Sequence, residues 1–352
     1  MTGTEHPVLD AFGWNERVAV HLPTTEIPAR VTRVDRDRAA AITEAGEVTV
    51  VGRPLPAVGD WIALAPTARS DGAHGIARVA PRWSEITRLD PTSYSHDIDV
   101  SQVLAANVDL VGITAPLDRP LSVARIERES VIAWEAGAHP IVVLTKADRH
   151  DDADRAAAEL GERLLGTDVL VTAAIDGTGI DAVAQLLRPD RTALLLGASG
   201  AGKSTLTNAL LGEERLETGG VRRLDHRGRH TTTARHLLAV PGGGVLIDTP
   251  GIRSVGLAGS GDGMAAAFVD IDELANACRF ADCAHDREPG CAVRQAVDDG
   301  LLDRDRLASW HKLQREFAAH ERRSDPRAAA EHRAEVRRFS RELRRNTGRN
   351  RP

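Results

Sequence analysis

The amino-acid sequence predicts a multidomain fold, with an N-terminal β-barrel in residues 1–98, a central α/β domain in residues 99–258 and an α-helical region in residues 259–352. Short alternating strands fill residues 28–88, and apolar strands alternate with helical stretches from about residue 101. Helices rich in Arg, Ala and Glu follow a glycine-rich stretch. A chain of 352 residues is also too long for one ordinary globular core.

Strand-like segments dominate the first part of the chain: PARVTRVD, RAAAIT, GEVTVVG, VGDWIALAP and GIARVAP. Turns separate them, and little helical periodicity is present. A five-stranded oligonucleotide-binding (OB) barrel fits this spacing, and barrels of that kind often bind RNA. A fragment of a Greek-key sandwich and a barrel without a nucleic-acid role fit the same pattern, so the alternation alone leaves these readings open.

Composition and charge are typical of a globular cytosolic protein. Hydrophobic residues make up 42% and charged residues 27% of the chain. No stretch approaches the roughly 20 apolar residues of a membrane helix, and the first residues do not resemble a signal peptide. The net charge is -6, yet residues 304–352 hold 15 Lys or Arg against 7 Asp or Glu. This basic tail is either a solvated helix or one that contacts RNA.

A phosphate-binding loop is predicted between the strand RTALLLG and the helix KSTLTNALLG. It matches G-x-x-x-x-G-K-[ST], in which glycines let backbone N–H groups wrap around phosphates and the Ser hydroxyl ligates Mg²⁺. Lys203, expected at the β and γ phosphates, is one of only three lysines in the chain, against 42 arginines. The predicted nucleotide-binding residues of this loop are Gly197, Ala198, Ser199, Gly200, Ala201, Gly202, Lys203, Ser204 and Thr205.

The nucleotide base is expected to be read by T-K-A-D, which begins at Thr145 and again follows an apolar strand. The carboxylate of Asp148 can accept hydrogen bonds from N1–H and N2–H₂ of guanine, and adenine offers no such donor pair. Lys146 is expected to pack along the base and the phosphate loop. After the strand DVLV, the segment at Thr172 and Ala173 supplies a backbone amide to the guanine oxygen. These residues predict GTP as the ligand.

A further nucleotide element follows the strand VLI, 44 residues after Ser204. Asp248 begins D-T-P-G, a D-x-x-G element whose aspartate holds Mg²⁺ and whose Gly251 amide senses the γ phosphate. Between the two elements lies GRHTTT, where GTPases keep a switch with a Mg²⁺-capping threonine, here assigned to Thr232. The predicted magnesium ligands are therefore Ser204, Thr232 and Asp248.

The order of the motifs is unusual, because the base-reading elements precede the phosphate loop instead of following D-x-x-G. The sequence therefore predicts a circularly permuted P-loop GTPase domain. Such a permutation leaves the folded site intact when the original chain ends were close together. It also makes the switch after Asp248 run into the C-terminal region, so loss of the γ phosphate is expected to move that region.

The three cysteines fall within 14 residues and indicate a metal site. Three thiolates and one imidazole form the soft tetrahedral set that zinc prefers, and four protein ligands indicate a structural ion. A buried thiol cluster is the alternative, because the spacing C-x4-C-x-H-x5-C differs from the commoner C-x2-C pattern. A disulfide is disfavoured in a reducing cytosol. The predicted ligands are Cys278, Cys283, His285 and Cys291.

Over about residues 28–315 the chain resembles the family of ribosome small subunit-dependent GTPases, RsgA or YjeQ. Besides the permuted order, it shares the phrases PAVGDW, LAANVD, VVLTKAD, GRHTTT and EPGCAV. The resemblance implies an OB barrel, a permuted GTPase, a zinc domain and a role in late maturation of the small (30S) ribosomal subunit. Residues 259–263 and the tail after about residue 320 match no motif of the family.

The resemblance also implies a catalytic role for His230. Many GTPases place a glutamine after D-x-x-G to orient water, whereas this chain has Ile252, which cannot do so. In the family the substitute is the switch histidine, which corresponds to His230, and an imidazole suits this task. An exposed loop histidine without a role is the alternative. The resemblance further favours one structural Zn²⁺. Members of the family tolerate threonine at the positions of Thr145 and Thr172, where Asn and Ser are more common in GTPases.

Together these inferences predict a cytoplasmic, Mg²⁺-dependent GTP hydrolase with His230 and Lys203 as its catalytic residues. It is expected to bind GTP and GDP, to dock as a monomer on rRNA of the small ribosomal subunit, and to leave after ribosome-stimulated hydrolysis. No membrane partner is expected. The alternative is a GTP-controlled RNA-binding module in which hydrolysis is incidental. An ATP-using P-loop kinase is disfavoured by Asp148.

Overall fold

The computed structural model describes residues 6–23, 25–35, 37–89, 101–213, 235–248 and 261–324. Within these ranges the N-terminal part of the chain forms a closed barrel of strands β1 to β5. Strand β1 pairs antiparallel with β2 and β4, β2 pairs with β3, and β5 joins β3 in parallel and β4 antiparallel. This closure confirms the predicted five-stranded barrel. The strands are β1 Ile27–Val34, β2 Ala39–Thr43, β3 Gly46–Val51, β4 Trp61–Ala68 and β5 His74–Val79.

Every second side chain of a strand points inward, and these side chains fill the barrel. Its interior is lined by buried residues that include Ala29, Val31, Ile62 and Leu64. Two short helices, α1 Pro7–Asp10 and α2 Glu16–Ala19, pack outside against Trp61 and its neighbours. These helices lie before the segments in which strands were predicted.

The central domain is built on a mostly parallel sheet, as the βαβ rhythm predicts. Strands β10, β9, β8, β11 and β13 are adjacent and parallel in this order, and β12 pairs antiparallel with β13 at the end of the series. The apolar sequences of β8, β9 and β11 are buried on both faces, which is typical of parallel sheets. The strands are β8 Leu110–Pro116, β9 His139–Thr145, β10 Asp168–Val171, β11 Thr192–Gly197, β12 His236–Ala239 and β13 Val245–Asp248.

Helices cover both faces of this sheet. Successive residues of β11 point to opposite sides: Leu194 packs in one cluster with Ile126, and Leu195 packs in another with Leu206. Helices α3 and α4 therefore cover one face, and α5 and α6 cover the other. Their bounds are α3 Val123–Glu135, α4 Ala153–Arg163, α5 Ile180–Leu186 and α6 Lys203–Leu211.

The barrel and the central sheet are joined by backbone pairing that the sequence pattern did not predict. Strand β12 pairs with β1 through Arg33 and His236, so the barrel continues the sheet. A separate antiparallel pair, β6 Glu85–Leu89 and β7 Ser101–Ala106, contacts the barrel segment before β4 through a bridge between Val58 and Ala105. Both pairings connect segments that are distant in sequence or separated by a long connection, so local periodicity carries no signal for them.

The C-terminal region consists of helices packed on α3. Helix α7 lies so close to α3 that a Cβ atom on Gly263 would come within 2.6 Å of the Glu135 nitrogen, and the Gly263 N–H donates to Glu135 Oε1 at 2.8 Å. Part of the glycine-rich stretch 259–263 is thus packed in a helix. The helices are α7 Asp262–Ala267, α8 Val269–Ala275, α9 Ala292–Asp298 and α10 Arg304–Ser324. None of the helices in the described ranges is long and apolar enough to cross a membrane.

A buried charge cluster fastens this region to the central domain. Glu127 of α3 accepts hydrogen bonds from Arg306 of α10 at 3.2 Å and from Arg163 of α4 at 3.0 Å. Arg306 also donates to both oxygens of Asp270 in α8, at 2.5 and 2.7 Å. Because Glu127 and Arg306 are almost fully buried, the loss of either partner would leave an uncompensated charge.

Candidate functional site

Those of the predicted nucleotide-binding residues that the structure describes lie at the carboxyl edge of the central sheet. Strands β8, β9, β11 and β13 are parallel, so their C-terminal ends lie at the same edge. This edge receives the base-reading segment after Thr145, the phosphate loop after Gly197 and the Asp248 end of β13. Ligands of open α/β sheets bind in the crevice outside these ends.

The phosphate loop has the backbone that its glycines predict. Gly197, Gly200 and Gly202 have φ angles of 138°, 74° and 87°, in the region that favours glycine. At Gly197 a Cβ would also overlap Thr114 of the neighbouring strand. The loop leads directly into α6, which begins at Lys203, so the first N–H groups of the helix face the loop. This arrangement is suited to binding phosphate.

Lys203 is held inside the loop by backbone acceptors. Its Nζ donates to the carbonyl oxygens of Gly197 at 2.8 Å and Ala198 at 2.9 Å. Burial lowers the pKa of Lys203, while the nearby charges of Glu129 and Asp248 oppose that shift. The next two residues on α6 are the half-buried Ser204 and the exposed Thr205.

The base-reading segment is tied to the phosphate loop by a side chain. Thr145, which is buried, donates from Oγ1 to the carbonyl oxygen of Ala201 at 2.7 Å. Lys146 adopts a left-handed conformation with φ 61° and donates from Nζ to Asp118 Oδ2 at 2.7 Å. Asp148 is exposed and lies in the 3₁₀ helix Ala147–Arg149. The segment therefore presents a carboxylate next to the phosphate loop.

The third predicted nucleotide segment supports the same loop. Thr172 is buried and donates from Oγ1 to the Leu144 carbonyl oxygen at 3.0 Å, and its own carbonyl oxygen accepts the Ala147 N–H at 3.1 Å. The Ala173 N–H donates to the Thr178 carbonyl oxygen at 2.9 Å. These bonds hold the turn after β10 against the base-reading segment.

Asp248 is the last described residue of the D-x-x-G element. It ends β13 opposite His236 of β12, and its charge acts on Lys203. The other predicted members of the switch elements, Gly251, His230 and Thr232, lie outside the described residues.

The cysteine segment forms a compact cluster, as its spacing predicts. Nδ1 of His285 lies 3.6 Å from Cys278 Sγ and 3.5 Å from Cys291 Sγ, and these two sulfurs are 3.9 Å apart. With Cys283, the four ligand atoms all lie within 4.8 Å of one another. The set can hold a metal ion, and its three thiols and one imidazole suit zinc.

Comparison with known proteins identifies the family. A family model described as RsgA GTPase matches residues 79–258. A protein of Streptomyces coelicolor named small ribosomal subunit biogenesis GTPase RsgA is 42% identical over an alignment of 350 residues, and the match covers 95% of this chain and 93% of that protein. A protein of the same name from Opitutus terrae is 44% identical over an alignment of 342 residues, and the match covers 90% of this chain and 92% of that protein. The chain belongs to the RsgA GTPase family. It is therefore a GTP hydrolase, as the motifs predict.

Solved structures confirm the fold of this RsgA-family chain. YjeQ from Thermotoga maritima superimposes with a TM-score of 0.59 at 23% identity, covering 83% of this chain and 99% of that one. YloQ, described as a circularly permuted GTPase, superimposes with a TM-score of 0.60 at 22% identity, covering 84% and 96%. The permuted topology inferred from motif order is thus confirmed.

Two residues at the site of this RsgA-family chain are not predicted by any sequence motif. Asp118 and Arg119 follow β8 and contact Lys146 and Ser199, respectively. No standard motif includes them. The signal that marks them is their position, because they stand at the carboxyl end of a strand that lies between the phosphate-loop strand and the base-reading strand.

Proposed function

We propose that this RsgA-family chain binds GTP with Mg²⁺ at the carboxyl edge of its central sheet, and hydrolyses it during maturation of the small ribosomal subunit. The observation that carries this proposal is the bond from Thr145 Oγ1 to the Ala201 carbonyl oxygen, 2.7 Å long. It fixes the base-reading segment to the phosphate loop, so one nucleotide can contact both. The arrangement explains how the chain would select a guanine nucleotide rather than phosphate alone.

The proposed nucleotide contacts follow from the positions of the side chains. The loop amides and Lys203 neutralise phosphate oxygens, Asp148 accepts the guanine N–H groups, and Lys146 packs along the base. The turn at Thr172 and Ala173 approaches the guanine oxygen, and the Ala173 N–H exchanges its bond to the Thr178 carbonyl oxygen for one to the base. Because hydrogen-bonding groups left unpaired cost about 1 to 3 kcal/mol each, this set favours GTP over ATP.

Oxygen ligands for Mg²⁺ are available at the phosphate loop. The Ser204 hydroxyl lies in the first turn of α6, and the Asp248 carboxylate acts on Lys203 from the end of β13. Hydroxyl and carboxylate oxygens are the ligands that Mg²⁺ prefers, and we assign Thr232 as the third. The bound ion neutralises charge on the phosphates. We assign His230 to orient the attacking water.

For the cysteine cluster we propose one structural zinc ion, bound by Cys278, Cys283, His285 and Cys291. A cluster whose four ligand atoms lie within 4.8 Å supports this assignment. Four protein ligands leave no open coordination position, so the zinc has a structural role.

The ribosomal role rests on the relatives, which are named small ribosomal subunit biogenesis GTPases. We propose that the chain acts in the cytoplasm as a monomer and docks on small-subunit rRNA in the GTP state. The docking units would be the barrel of residues 1–98 and the region 259–352, on either side of the GTPase domain of residues 99–258. Hydrolysis then releases the chain.

The test is GTP turnover of the zinc-loaded chain with and without purified small ribosomal subunits. Large subunits control for nonspecific stimulation, and Lys203→Ala serves as the inactive variant. We expect slow turnover alone and at least about 100-fold stimulation by small subunits, which requires only about 2.7 kcal/mol of transition-state stabilisation. Tight GTP binding without any stimulation would contradict the ribosomal assignment.

His230→Ala tests whether hydrolysis drives release. We expect the variant to bind GTP and the small subunit normally and to stay bound, because the water is no longer oriented. Sedimentation of the subunit with labelled protein measures the retained fraction. Release at the rate of the unmodified chain would instead favour a GTP-controlled RNA-binding module in which hydrolysis is incidental.

A further inference from the structure

A short segment after β8 lies between the two halves of the nucleotide site. The Leu117 N–H donates to the Thr145 carbonyl oxygen at 2.8 Å, which keeps this segment beside the base-reading strand. Asp118 and Arg119 follow and are exposed at the carboxyl edge of the sheet. Their side chains diverge, one toward the base-reading segment and the other toward the phosphate loop.

The two side chains form a line of charges across the site. Asp118 Oδ2 accepts from Lys146 Nζ at 2.7 Å, and this bond lowers the pKa of Asp118. Arg119 Nε lies 3.8 Å from Asp118 Oδ1, and Arg119 Nη2 donates to the Ser199 carbonyl oxygen at 3.4 Å. A Cβ atom on Gly200 would lie 3.9 Å from the same Nη2. The guanidinium therefore lies against the phosphate loop at Ser199 and Gly200.

A role in holding the phosphate loop in place does not explain the position of the Arg119 guanidinium. At 3.4 Å its bond to Ser199 is long, and the Arg119 side chain is 48% exposed, so the bond contributes little to stability. Lys203, by contrast, is enclosed by the loop. A half-exposed guanidinium keeps most of its five N–H donors for other acceptors, and its planar shape suits phosphate oxygens.

We propose that Arg119 contacts the phosphates of bound GTP and stabilises the charge that develops on the γ-phosphoryl group, as an arginine supplied by the chain itself. The inference rests on the proposed hydrolysis of GTP at this site. In that reaction the water oxygen bonds to the γ phosphorus, and the bond to the β–γ bridging oxygen breaks. The bridging oxygen keeps the electron pair, and the proton of the water passes to the released phosphate. Arg119 supplies positive charge without exchanging a proton.

The test compares Arg119→Ala and Arg119→Lys with the unmodified chain in three measurements: GDP affinity, affinity for GDP with aluminium fluoride, and single-turnover GTP hydrolysis. For Arg119→Ala we expect the hydrolysis rate and the affinity of the fluoride complex to fall about 100-fold, as for other transition-state donors. GDP affinity should change less than about two-fold, since GDP lacks the γ-phosphoryl group. Arg119→Lys keeps the charge and should recover part of the rate.

Arg155→Ala is the matched control, because it removes an exposed arginine of α4 that pairs with Glu159 away from the site. It should leave all three measurements unchanged. Rates for Arg119→Ala equal to those of the control would overturn the inference, as would an equal loss of affinity for GDP and for the fluoride complex. If the unmodified chain itself neither binds nor hydrolyses GTP, the proposed function fails instead, and the two failures are thus distinguishable.

Discussion

Thr145 shows how a single hydroxyl can join two parts of a site. Its Oγ1 donates to the Ala201 carbonyl oxygen inside the protein, so the base-reading segment and the phosphate loop move together. We expect Thr145→Val, which keeps the shape and removes the donor, to weaken GDP binding by about 1 to 2 kcal/mol, or five- to thirty-fold. Titration with a fluorescent GDP analogue measures this loss.

Thr43→Val is the control for Thr145→Val. Thr43 is also buried and donates to a carbonyl oxygen, that of Gly46 at 2.8 Å, but it lies in the barrel. Both variants should lower the free energy of unfolding, and only the variant at Thr145 should lower GDP affinity. Equal GDP affinity in the two variants would show that the hydroxyl does not position the nucleotide.

At the level of single residues, the sequence predicts site residues best where a chemically suitable residue type is also rare in the chain. Among 42 arginines the few lysines stand out, and Lys146 and Lys203 both lie at the site. Arginine offers no such contrast, so Arg119 could not be singled out from the sequence. Its contact with Ser199 joins residues 80 positions apart, and only the sheet order reveals it.

Among the elements, α3 contacts both the nucleotide site and the C-terminal region. Its Glu129 is paired with Arg125 at 2.8 Å and opposes the lowering of the Lys203 pKa. Two residues earlier, Glu127 holds Arg306 of α10. The helix was predicted from its periodicity, but this double role depends on which helices pack against it. Helix α3 thus connects the surroundings of Lys203 directly to the C-terminal helices.

The cluster of Cys278, Cys283, His285 and Cys291 is expected to be ordered by the proposed zinc ion. Cys291 caps α9 by accepting the Arg294 N–H, and the ring of Trp310 lies 5.3 Å from that of His285. We expect about one zinc per chain, and His285→Ala should lose most of it, because a structural site needs all four ligands. Removal with a chelator should change the part of the tryptophan fluorescence that Trp310, one of five tryptophans, contributes. Elemental analysis and fluorescence measure both effects.

His311→Ala is the matched control for the zinc measurement. His311 stacks edge to face on Trp310 at 5.1 Å and is not one of the four clustered residues. It should retain the zinc of the unmodified chain. Equal loss from the two histidine variants would contradict the assigned ligand set.

For the whole molecule, the sequence predicted the barrel and the permuted domain but not their connection. Each unit has a local signal, because alternation marks the barrel strands and apolar runs mark the parallel sheet. The connection has none, since it pairs Arg33 with His236, about 200 positions away. The contact that reinforces it, Arg30 with Thr192, spans 162 positions. Long-range pairing of this kind is decided by the assembled fold.

Arg30 is expected to make the barrel and the central sheet unfold as one unit. Fully buried, it donates to Thr192 Oγ1 at 2.6 Å and to the Phe12 carbonyl oxygen, and it stacks over Trp61 at 5.0 Å. Burial lowers the pKa of Arg30 to about 10, so it is charged at neutral pH. Arg30→Met keeps the bulk and removes the donors, and should lower the free energy of unfolding by about 3 kcal/mol.

Urea unfolding followed by two probes tests this coupling. Three of the five tryptophans, Trp14, Trp61 and Trp83, pack together at the barrel, so fluorescence reports mainly on that unit. Far-UV circular dichroism reports mainly on the helices, the longest of which lie outside the barrel. The probes should give coincident transitions in the unmodified chain and separate transitions in Arg30→Met, because the tie between the units is lost. Arg33→Met, which removes an exposed pair with Asp35, should cost less than about 1 kcal/mol and keep the transitions coincident. Coincident transitions in both variants would show that backbone pairing alone couples the units.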